Sequence, residues 1–512
     1  MIEKLSGIKL NIGEDESVLV GIAQKKLGAK PSYFRILKKS LDARNKNDIF
    51  MTYSIEFSLD ELPRKEEIAR VPEKNLPSDP IVIVGAGPCG LSCAVRLIDY
   101  GIKPIVAERG DAVDDRIKKT ELFAKEKILD EDSNIQFGEG GAGTFSDGKL
   151  NTQTHSGYNK QVFDTFIKFG APAEIAYLNK PHIGSDKLRG VVKNMRTYIE
   201  NNGGKVLFRT KLVDISAANG RINSVTLENN GKTTKISPYA LVLAVGHSAR
   251  DTFYMLKNKG VNMRAKDFAV GLRIEHLQKN IGFSQYGKKY PLLPAADYKL
   301  VSHAGERACF SFCMCPGGFV MPAASEANSL VTNGMSNYAR SGLNANSALI
   351  VPVTSADFHS DDPLSGVEFQ RDLERKAFIA GGADYNAPVQ LVGDFLANKK
   401  STAFGLVQPT YPGTRFAEMN KILPAPIISS VALAIKDMDK KLRGFADKNA
   451  VLTAVESRTS SPVRIERQEN LTSPFASNLY PCGEGAGYSG GITSSSADGL
   501  RVADEIAKVL SR

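Results

Sequence analysis

Residues 81–109 read IVIVGAGPCGLSCAVRLIDYGIKPIVAER, and this stretch decides the fold. The unbroken apolar run Ile81–Val84 is typical of a strand buried in a parallel sheet. It leads into Gly85–Gly90, which fits the pattern G-x-G-x-x-G, and then into a helix-like run that ends at Gly101. A second short apolar run follows and is closed by Glu108. Strand, glycine turn, helix, strand and acid in this register predict one half of a dinucleotide-binding site.

Four positions of this motif have distinct physical roles. Gly85 allows the tight turn, Gly87 lets the backbone approach a pyrophosphate, and Gly90 permits close contact between strand and helix. The pyrophosphate is expected at the helix N-terminus, where free N–H groups and the helix dipole favour anions. Glu108 is placed to accept hydrogen bonds from both ribose hydroxyls. A glycine-rich turn without a ligand is the alternative, and the complete register disfavours it.

A second half-site is predicted near the end of the chain. Asn478–Pro481 has the pattern of a short strand, and the glycine-rich turn Cys482–Ile492 leads into an amphipathic helix over Thr493–Leu510. Glu484 can accept a hydrogen bond from a ribityl hydroxyl, and the helix N-terminus can face flavin N1 and C2=O, where reduction places negative charge. An NAD dehydrogenase needs no such tail, whereas FAD extends beyond the first half-site. The two half-sites together therefore predict FAD.

These motifs resemble those of a family of bacterial FAD-dependent dehydrogenases, within the flavoprotein superfamily built on the glutathione reductase and p-hydroxybenzoate hydroxylase plan. The resembling segments cover most of the chain from residue 80 onward: Gly85–Gly90, Phe137–Lys149, Gly246–Asp251, Phe312–Gly318 and Gly483–Tyr488. One departure is Glu484, where the superfamily usually has aspartate. A carboxylate that is one methylene longer still reaches a ribityl hydroxyl. The resemblance implies an oxidoreductase that holds FAD noncovalently.

The resemblance also implies that the loop Phe137–Lys149 lies along the cofactor. Its many glycines follow no helical or strand period, which indicates backbone that approaches a ligand closely; a glycine-rich surface loop is the alternative. The predicted FAD-contacting residues are Gly85, Gly87, Pro88, Cys89, Gly90, Glu108, Arg109, Gly141, Ala142, Gly143, Val213, Gly246, Gly483, Glu484, Gly490, Gly491 and Ile492.

Candidate catalytic groups lie in the inner motifs. Lys149 can approach flavin N1 or a substrate anion, or it can face solvent. His182 precedes a glycine turn and can act as a proton donor after hydride transfer. Arg458 and Arg464 can clamp a carboxylate or phosphate, and structural roles are open for both. No hydrolase elbow, metalloprotease helix motif or P-loop occurs in the sequence, so these enzyme classes are disfavoured.

Four residues with sulfur or oxygen side chains alternate near residue 310. If this segment is a regular strand, Cys309, Ser311, Cys313 and Cys315 share one face. That face would place sulfur beside a flavin, but C-x-C lacks the two-residue spacing of the thioredoxin-type motif. Packing, active-site lining, and a metal site completed by His303 remain alternatives. We expect Cys313 and Cys315 to line the pocket without forming the essential redox pair, and we expect no metal.

Length and composition agree with a large globular protein. With 512 residues the chain exceeds one core, and its 42% hydrophobic and 24% charged residues are ordinary for a soluble protein. Six unevenly spaced cysteines argue against a disulfide framework. No apolar run reaches membrane-spanning length and the N-terminus lacks a signal-like core, so we expect a cytoplasmic protein without membrane contact.

The net charge of +10 raises the question of a polyanionic partner. Part of the charge lies in one stretch that contains a single acid, Asp42, and these cations: Lys25, Lys26, Lys30, Arg35, Lys38, Lys39, Arg44 and Lys46. A solvated face or a docking surface explains them better than nucleic acid, because few aromatic residues are interleaved. An RNA-modifying flavoprotein and an FAD-binding protein with a structural flavin remain alternative functions.

The predicted fold class is α/β, with a Rossmann-like FAD-binding domain, an inserted α+β substrate domain and a small N-terminal α+β module for which a ferredoxin-like arrangement is one candidate. The predicted boundaries are 1–75 for the module, 79–265 and 425–512 for the two parts of the FAD domain, and 266–424 for the insertion. In the module, strands are predicted at 8–12 and 49–57 and helices at 18–26 and 31–41. A linker contains Pro63, Pro72, Pro77 and Pro80. The predicted function is hydride transfer between FAD and a small molecule; an NAD(P)H donor, if one is used, would bind transiently at the flavin.

Overall fold

The computed structural model describes residues 2–60, 68–152, 156–358 and 360–511. The N-terminal module consists of β1 (Glu3–Asn11), α1 (Ser17–Leu27), β2 (Tyr33–Asp42) and β3 (Phe50–Ser58). The three strands form an antiparallel sheet in the order β1-β3-β2. Leu19 and Ala23 of α1 pack against Tyr53, Ile55 and Phe57 of β3, which gives the module a small core of its own.

Two expectations for this module need correction. The helix predicted at 31–41 is wrong, because this segment is strand β2, paired along its length with β3. The described part of the module has three strands and one helix in the order β-α-β-β, which are the first four of the six elements of the β-α-β-β-α-β ferredoxin-like fold. In the predicted linker, Pro63 lies outside the described residues, and Pro72, Pro77 and Pro80 stand in irregular backbone or at its edges.

The module is docked on the rest of the protein through backbone atoms. Lys39 N–H donates to Tyr177 O at 2.8 Å, and Asn179 N–H donates to Lys39 O at 2.9 Å. The segment 177–179 therefore pairs with the outer edge of β2. Lys46 Nζ donates to Ser284 O at 2.7 Å. Lys39 contributes its backbone atoms and Lys46 its ammonium group to this contact, and the role predicted for the basic stretch stays a prediction.

The first part of the FAD domain contains these elements: β4 (Ile81–Val84), α2 (Pro88–Asp99), β5 (Ile105–Ala107), α3 (Val113–Glu126), α4 (Tyr158–Lys168), α5 (Ser185–Asn201), β6 (Lys205–Leu207), β7 (Thr210–Ala218), β8 (Arg221–Asn229), β9 (Lys232–Ile236), β10 (Ala240–Leu243), α6 (Arg250–Asn258) and β11 (Met263–Ala265). Strands β7, β8 and β9 form a separate antiparallel sheet.

The insertion is built on a seven-stranded sheet. Its elements are β12 (Phe268–Leu277), α7 (Gln278–Tyr286), β13 (Val301–Ser302), β14 (Cys309–Cys315), β15 (Phe319–Pro322), β16 (Thr332–Met335), β17 (Asn344–Val353), α8 (Ser355–Phe358), α9 (Ser365–Ala380), β18 (Ala387–Leu391), α10 (Val392–Leu396), β19 (Thr414–Phe416), α11 (Ala425–Lys441) and β20 (Val451–Glu456). The strand order is β13-β14-β17-β12-β20-β18-β19, and β15 pairs with β16 separately.

The insertion extends past the predicted boundary at 424. Ile427, Val431 and Ile435 of α11 belong to the same core as Val270 and Leu272 of β12. Strand β20 is hydrogen-bonded between β12 and β18 inside the seven-stranded sheet. We therefore place the return to the FAD domain after β20, because the segment 425–456 buries its apolar side chains in the insertion.

The last part of the chain completes the FAD domain with β21 (Val463–Ile465), β22 (Leu479–Pro481) and α12 (Ile492–Leu510). Five parallel strands in the order β22-β10-β4-β5-β6 form the central sheet, which confirms the Rossmann-like fold. Gly85 has φ +103°, and a Cβ on it would lie 2.3 Å from Ala244 O. Glycine is therefore required where β4 turns into α2. Among the described residues, no helix is both long and apolar enough to cross a membrane.

Candidate active site

A cavity of about 520 Å³ opens at the carboxyl ends of the parallel strands, between the FAD domain and the insertion. This edge of an open α/β sheet is where such folds bind ligands, and the volume lies in the range of small-molecule sites. Most of the predicted FAD-contacting residues line it: Gly85, Gly87, Pro88, Cys89, Glu108, Arg109, Gly141, Ala142, Gly143, Gly246, Glu484, Gly490, Gly491 and Ile492. Segments that are distant in sequence thus meet around one space.

Three of the predicted contacts lie off the cavity wall. A Cβ on Gly90 would lie 1.9 Å from Gly85 O, so this glycine serves the contact between strand and helix, as its motif position predicts. Gly483 packs on Cys89, with a Cβ position 2.9 Å from the sulfur. Val213 does not line the cavity, whereas its neighbours Thr210, Lys211 and Leu212 do; Val213 is the extra residue of a bulge in β7 between Leu212 and Asp214.

The shape of the wall fits a long cofactor that approaches the backbone closely. On one side, a Cβ on Gly141 would lie 3.0 Å from Gly87 Cα, so a side chain would narrow the passage at the N-terminus of α2. On the other, Cβ atoms on Gly246, Gly490 and Gly491 would meet nothing within 4 Å, because these residues face open space. Two helix N-termini, those of α2 and α12, begin at this wall, and their first N–H groups have no partner within the helix.

Glu108 has a second role that the motif did not indicate. Its Oε2 accepts from Ala86 N–H at 2.7 Å, and its Oε1 accepts from Gly110 N–H and Gly138 N–H at 2.9 Å each. The carboxylate therefore ties the glycine turn after β4 to the loop that begins near Phe137. Of roughly four lone-pair positions on a carboxylate, these bonds leave about one for a ribose hydroxyl.

Glu484 stands on the cavity wall in the glycine-rich turn between β22 and α12. Burial raises the pKa of its carboxyl to about 7, and the nearby Lys266 ammonium only partly offsets this effect. The carboxyl lines the cavity, where an acceptor for a ribityl hydroxyl is predicted. A buried carboxyl with a raised pKa is a typical feature of a functional site.

Lys149 stands on the cavity wall with an unusual environment. Its Nζ is buried, has no hydrogen-bond partner among the described residues, and lies 3.3 Å from Asp147 Oδ2. The Asp147 carboxylate is already held by the Arg340 guanidinium through both oxygens. The Asp147 carboxylate therefore faces two cations, Lys149 and Arg340. These three side chains together carry one net positive charge at the cavity. The catalytic role of Lys149 stays a prediction; Asp147 was indicated only as part of the loop Phe137–Lys149, and Arg340 was not indicated by the sequence.

His182 is not part of the cavity wall. Its Nε2–H donates to Tyr338 O at 3.0 Å, and its ring stacks on the Tyr338 ring with centroids 5.3 Å apart. Burial, with the Arg340 charge, lowers its pKa. The backbone of His182 bridges that of Lys149, so the histidine supports the wall from outside. The predicted proton-donor role is therefore not supported by its position.

The two predicted arginines also have structural partners. Arg458 is buried and lines the cavity, and its Nε and Nη2 donate to both oxygens of Glu374 at 2.9 and 2.8 Å. Glu374 also accepts from Arg250, so one buried carboxylate joins the insertion to the FAD domain. Arg464 donates to Gly487 O at 2.9 Å and lies over the Tyr488 ring, outside the cavity wall.

The thiols of β14 do not form the regular face that alternation predicts. Phe312 pairs with Ala348 and Cys315 with Asn346, so β14 carries one extra residue at this point. Cys313 is half-buried and lines the cavity, whereas Cys315 is fully buried and does not. The expectation that both thiols line the pocket is therefore correct for Cys313 alone.

Two further groups on the wall were missed from the sequence. Glu456 lines the cavity and pairs through both oxygens with the buried Arg273, at 3.0 Å each. His247 also lines it, and burial together with Arg458 and Arg250 lowers its pKa to about 3, which keeps the ring neutral. His247 lies in Gly246–Asp251, one of the segments that resemble the flavoprotein family. This position was the only sign in the sequence that His247 belongs to the site.

Family models match three parts of the chain. Residues 79–281 match the model of the pyridine nucleotide-disulphide oxidoreductases, residues 267–459 match the FAD-dependent protein, C-terminal domain-like, and residues 1–58 match a domain of unknown function. A Clostridium beijerinckii protein named "Uncharacterized protein" is 45% identical over 99% of this chain and 98% of its own length. The chain belongs to this family of FAD-dependent proteins. It is an FAD-dependent oxidoreductase, and FAD is its cofactor.

Solved flavoprotein structures resemble the fold only distantly. A flavin-dependent brominase is 12% identical with a TM-score of 0.40, covering 85% of this chain and 79% of its own. A flavoprotein/dehydrogenase from Cytophaga hutchinsonii is 11% identical with a TM-score of 0.37, covering 85% and 78%. A geranylgeranyl bacteriochlorophyll reductase-like protein from Thermoplasma acidophilum is 11% identical with a TM-score of 0.37, covering 84% and 78%.

Proposed function

We propose that this oxidoreductase transfers a hydride between FAD and a small molecule that binds where the insertion forms the cavity wall, with NAD(P)H as a transient electron donor. The observation that carries the proposal is the continuity of one cavity from Gly491 and Ile492 to Phe312 and Cys313 of the insertion. FAD supplies the redox chemistry, and the protein supplies binding and orientation. A substrate held by the insertion would therefore share one space with the cofactor.

The charges at this cavity favour a small molecule over RNA. Five of its cations are already paired with carboxylates: Arg109 with Asp251, Lys180 with Asp297, Lys211 with Asp132, Arg340 with Asp147, and Arg458 with Glu374. A polyanion is bound by cations that are free to neutralise phosphates. Phe312 is 38% exposed and offers an apolar surface on the same wall, which suits a small substrate with an apolar part.

The test is anaerobic reduction of the purified holoprotein by NADH and, separately, by NADPH, followed through loss of the visible absorbance of the flavin. We expect either NADH or NADPH to reduce the flavin at a rate that is compatible with enzymatic turnover. Phe312→Ala should slow turnover with a substrate found by screening, whereas Phe283→Ala, a 57% exposed phenylalanine outside the cavity, should not. A flavin that dithionite reduces but neither nucleotide does would contradict the NAD(P)H part, and equal effects of the two variants would contradict the substrate position.

A further inference from the structure

We propose that Cys313 and Cys315 form a redox-active dithiol that exchanges an electron pair with FAD in this cavity. The proposal rests on the proposed function only in that the flavin ring occupies the cavity next to β14. It replaces the expectation, drawn from the C-x-C spacing, that these two thiols are not the essential redox pair.

The bulge in β14 directs one thiol into the cavity. Phe312 pairs with Ala348 and Cys315 with Asn346, so β14 advances three residues where β17 advances two. Cys313 absorbs the extra residue with φ +42°, a left-handed conformation that is uncommon for any residue except glycine. Bulges re-aim side chains and occur next to active sites, and strained backbone of this kind clusters at functional positions. A regular strand would not need this conformation.

The second thiol lies directly behind the first. The Cys315 thiol donates to Cys313 O at 3.3 Å, and it lies close enough to the Cys313 thiol to lower the pKa of that group. Two residues of extended strand span about 6.6 Å, which is within the Cα separation that a disulfide can bridge. A disulfide can therefore close here without a large backbone movement.

The surrounding charges divide the roles of the two thiols. The hydrogen bond from Cys315, followed by the charges of Arg273 and Lys149, lowers the pKa of Cys313, and Glu456 opposes them. Arg273 is buried and its Nη1 lies 3.3 Å from Cys313 O. The pKa of Cys315 is raised, first because its proton is held by Cys313 and then because it is buried. Cys313 is thus the thiolate that faces the cavity, and Cys315 carries the proton.

Oxidation of the dithiol to a disulfide needs no oxidant other than FAD. A bond forms between the two sulfurs, and the S–H bond of Cys315 breaks. The electron pair released by the dithiol and the Cys315 proton go to the oxidised isoalloxazine, so one disulfide and one reduced flavin result. In the reverse direction, a flavin reduced by a donor returns the electron pair and the proton to the disulfide. An external disulfide could then be reduced by exchange with Cys313.

The other cysteines supply matched controls. Cys309 lies on the same strand, is fully buried, and has a pKa raised to about 12 by burial. Cys89 and Cys482 form a second close pair, with the Cys89 thiol donating to Cys482 Sγ at 3.0 Å; Cys89 lines the cavity and Cys482 lies behind it, fully buried. Cys482 is buried among apolar groups, which raises its pKa. Each can be replaced without touching β14 near Cys313.

The experiment is an anaerobic dithionite titration of the FAD-loaded protein after oxidation with ferricyanide and desalting. We expect about four electrons per FAD for the wild-type protein and the Cys309→Ser variant, two for the flavin and two for the disulfide. Cys313→Ser and Cys315→Ser should each accept about two. Two electrons in the wild type, or four in both variants, would overturn the proposal; loss of the extra pair only in Cys482→Ser would assign it to the other cysteines.

A second measurement does not depend on any variant. Dithionite-reduced wild-type protein treated with iodoacetamide at neutral pH should be alkylated first at Cys313, and ferricyanide-oxidised protein should not be alkylated there. Mass spectrometry of the digested protein reads both results. Equal alkylation of Cys313 in the two states would refute the dithiol. Because dithionite replaces the natural donor, both measurements stand even if neither NADH nor NADPH reduces the flavin.

Discussion

Replacing Glu108 with glutamine separates its structural role from its role in cofactor binding. The glutamine side chain would keep one oxygen for Gly110 N–H and Gly138 N–H. It would turn its NH₂ group toward Ala86 N–H, from which the carboxylate accepts a hydrogen bond at 2.7 Å. The unsatisfied N–H costs about 1–3 kcal/mol in both the FAD-free and the FAD-bound protein. The lost ribose bond to a charged acceptor costs about 1.5–3 kcal/mol in the bound state alone.

The Glu108→Gln variant should therefore bind FAD about 10- to 150-fold more weakly and unfold at lower urea concentration. Glu108→Asp should bind less weakly than Glu108→Ala. Titration of FAD-free protein with FAD, followed by flavin fluorescence, measures the dissociation constant. The control is Glu275→Gln, which alters a buried carboxylate that accepts from Thr410 outside the cavity and should change stability only. An unchanged dissociation constant for Glu108→Gln would mean that Glu108 does not contact the ribose.

Three further predictions follow from the buried charges and the module. Glu374→Gln leaves two buried arginines without their carboxylate and should lower the free energy of unfolding by about 3–5 kcal/mol in urea, whereas Glu368→Gln, at the surface, should cost at most about 1 kcal/mol. Because the pKa of Glu484 is raised to about 7, FAD-free protein should lose stability as the pH rises from the ordinary glutamate value to that pKa, and Glu484→Gln should lack this slope. A chain that begins at Ser78 should still bind FAD; an insoluble or colourless product would show that the module is required.

The parts of the structure that local sequence determines were predictable. The turn after β4 is fixed by glycines whose positions leave no space for a Cβ, so the motif alone predicts strand, turn and helix. The glycine-rich turn before α12 is also a local signal, although Gly490 and Gly491 have open space where a Cβ would lie. Each of these signals lies within a few residues of the structure that it specifies.

The wrong predictions concern features that depend on contacts between residues far apart in the sequence. Strand β2 is a strand because it pairs with β3, although its two lysines and two leucines suit a helix. Helix α11 is amphipathic, but its pattern does not tell which sheet its apolar side covers. The bulge at Cys313 depends on the register with β17, and the orientation of His182 depends on Tyr338, far along the chain.

The central claim is that the two half-sites hold one intact, noncovalent FAD. Denaturing the purified yellow protein and separating the supernatant by chromatography tests it most directly. We expect FAD in the supernatant in an amount equal to that of the protein, and a colourless denatured chain. FMN in its place, a flavin that stays with the chain, or no flavin after reconstitution with FAD would contradict the account.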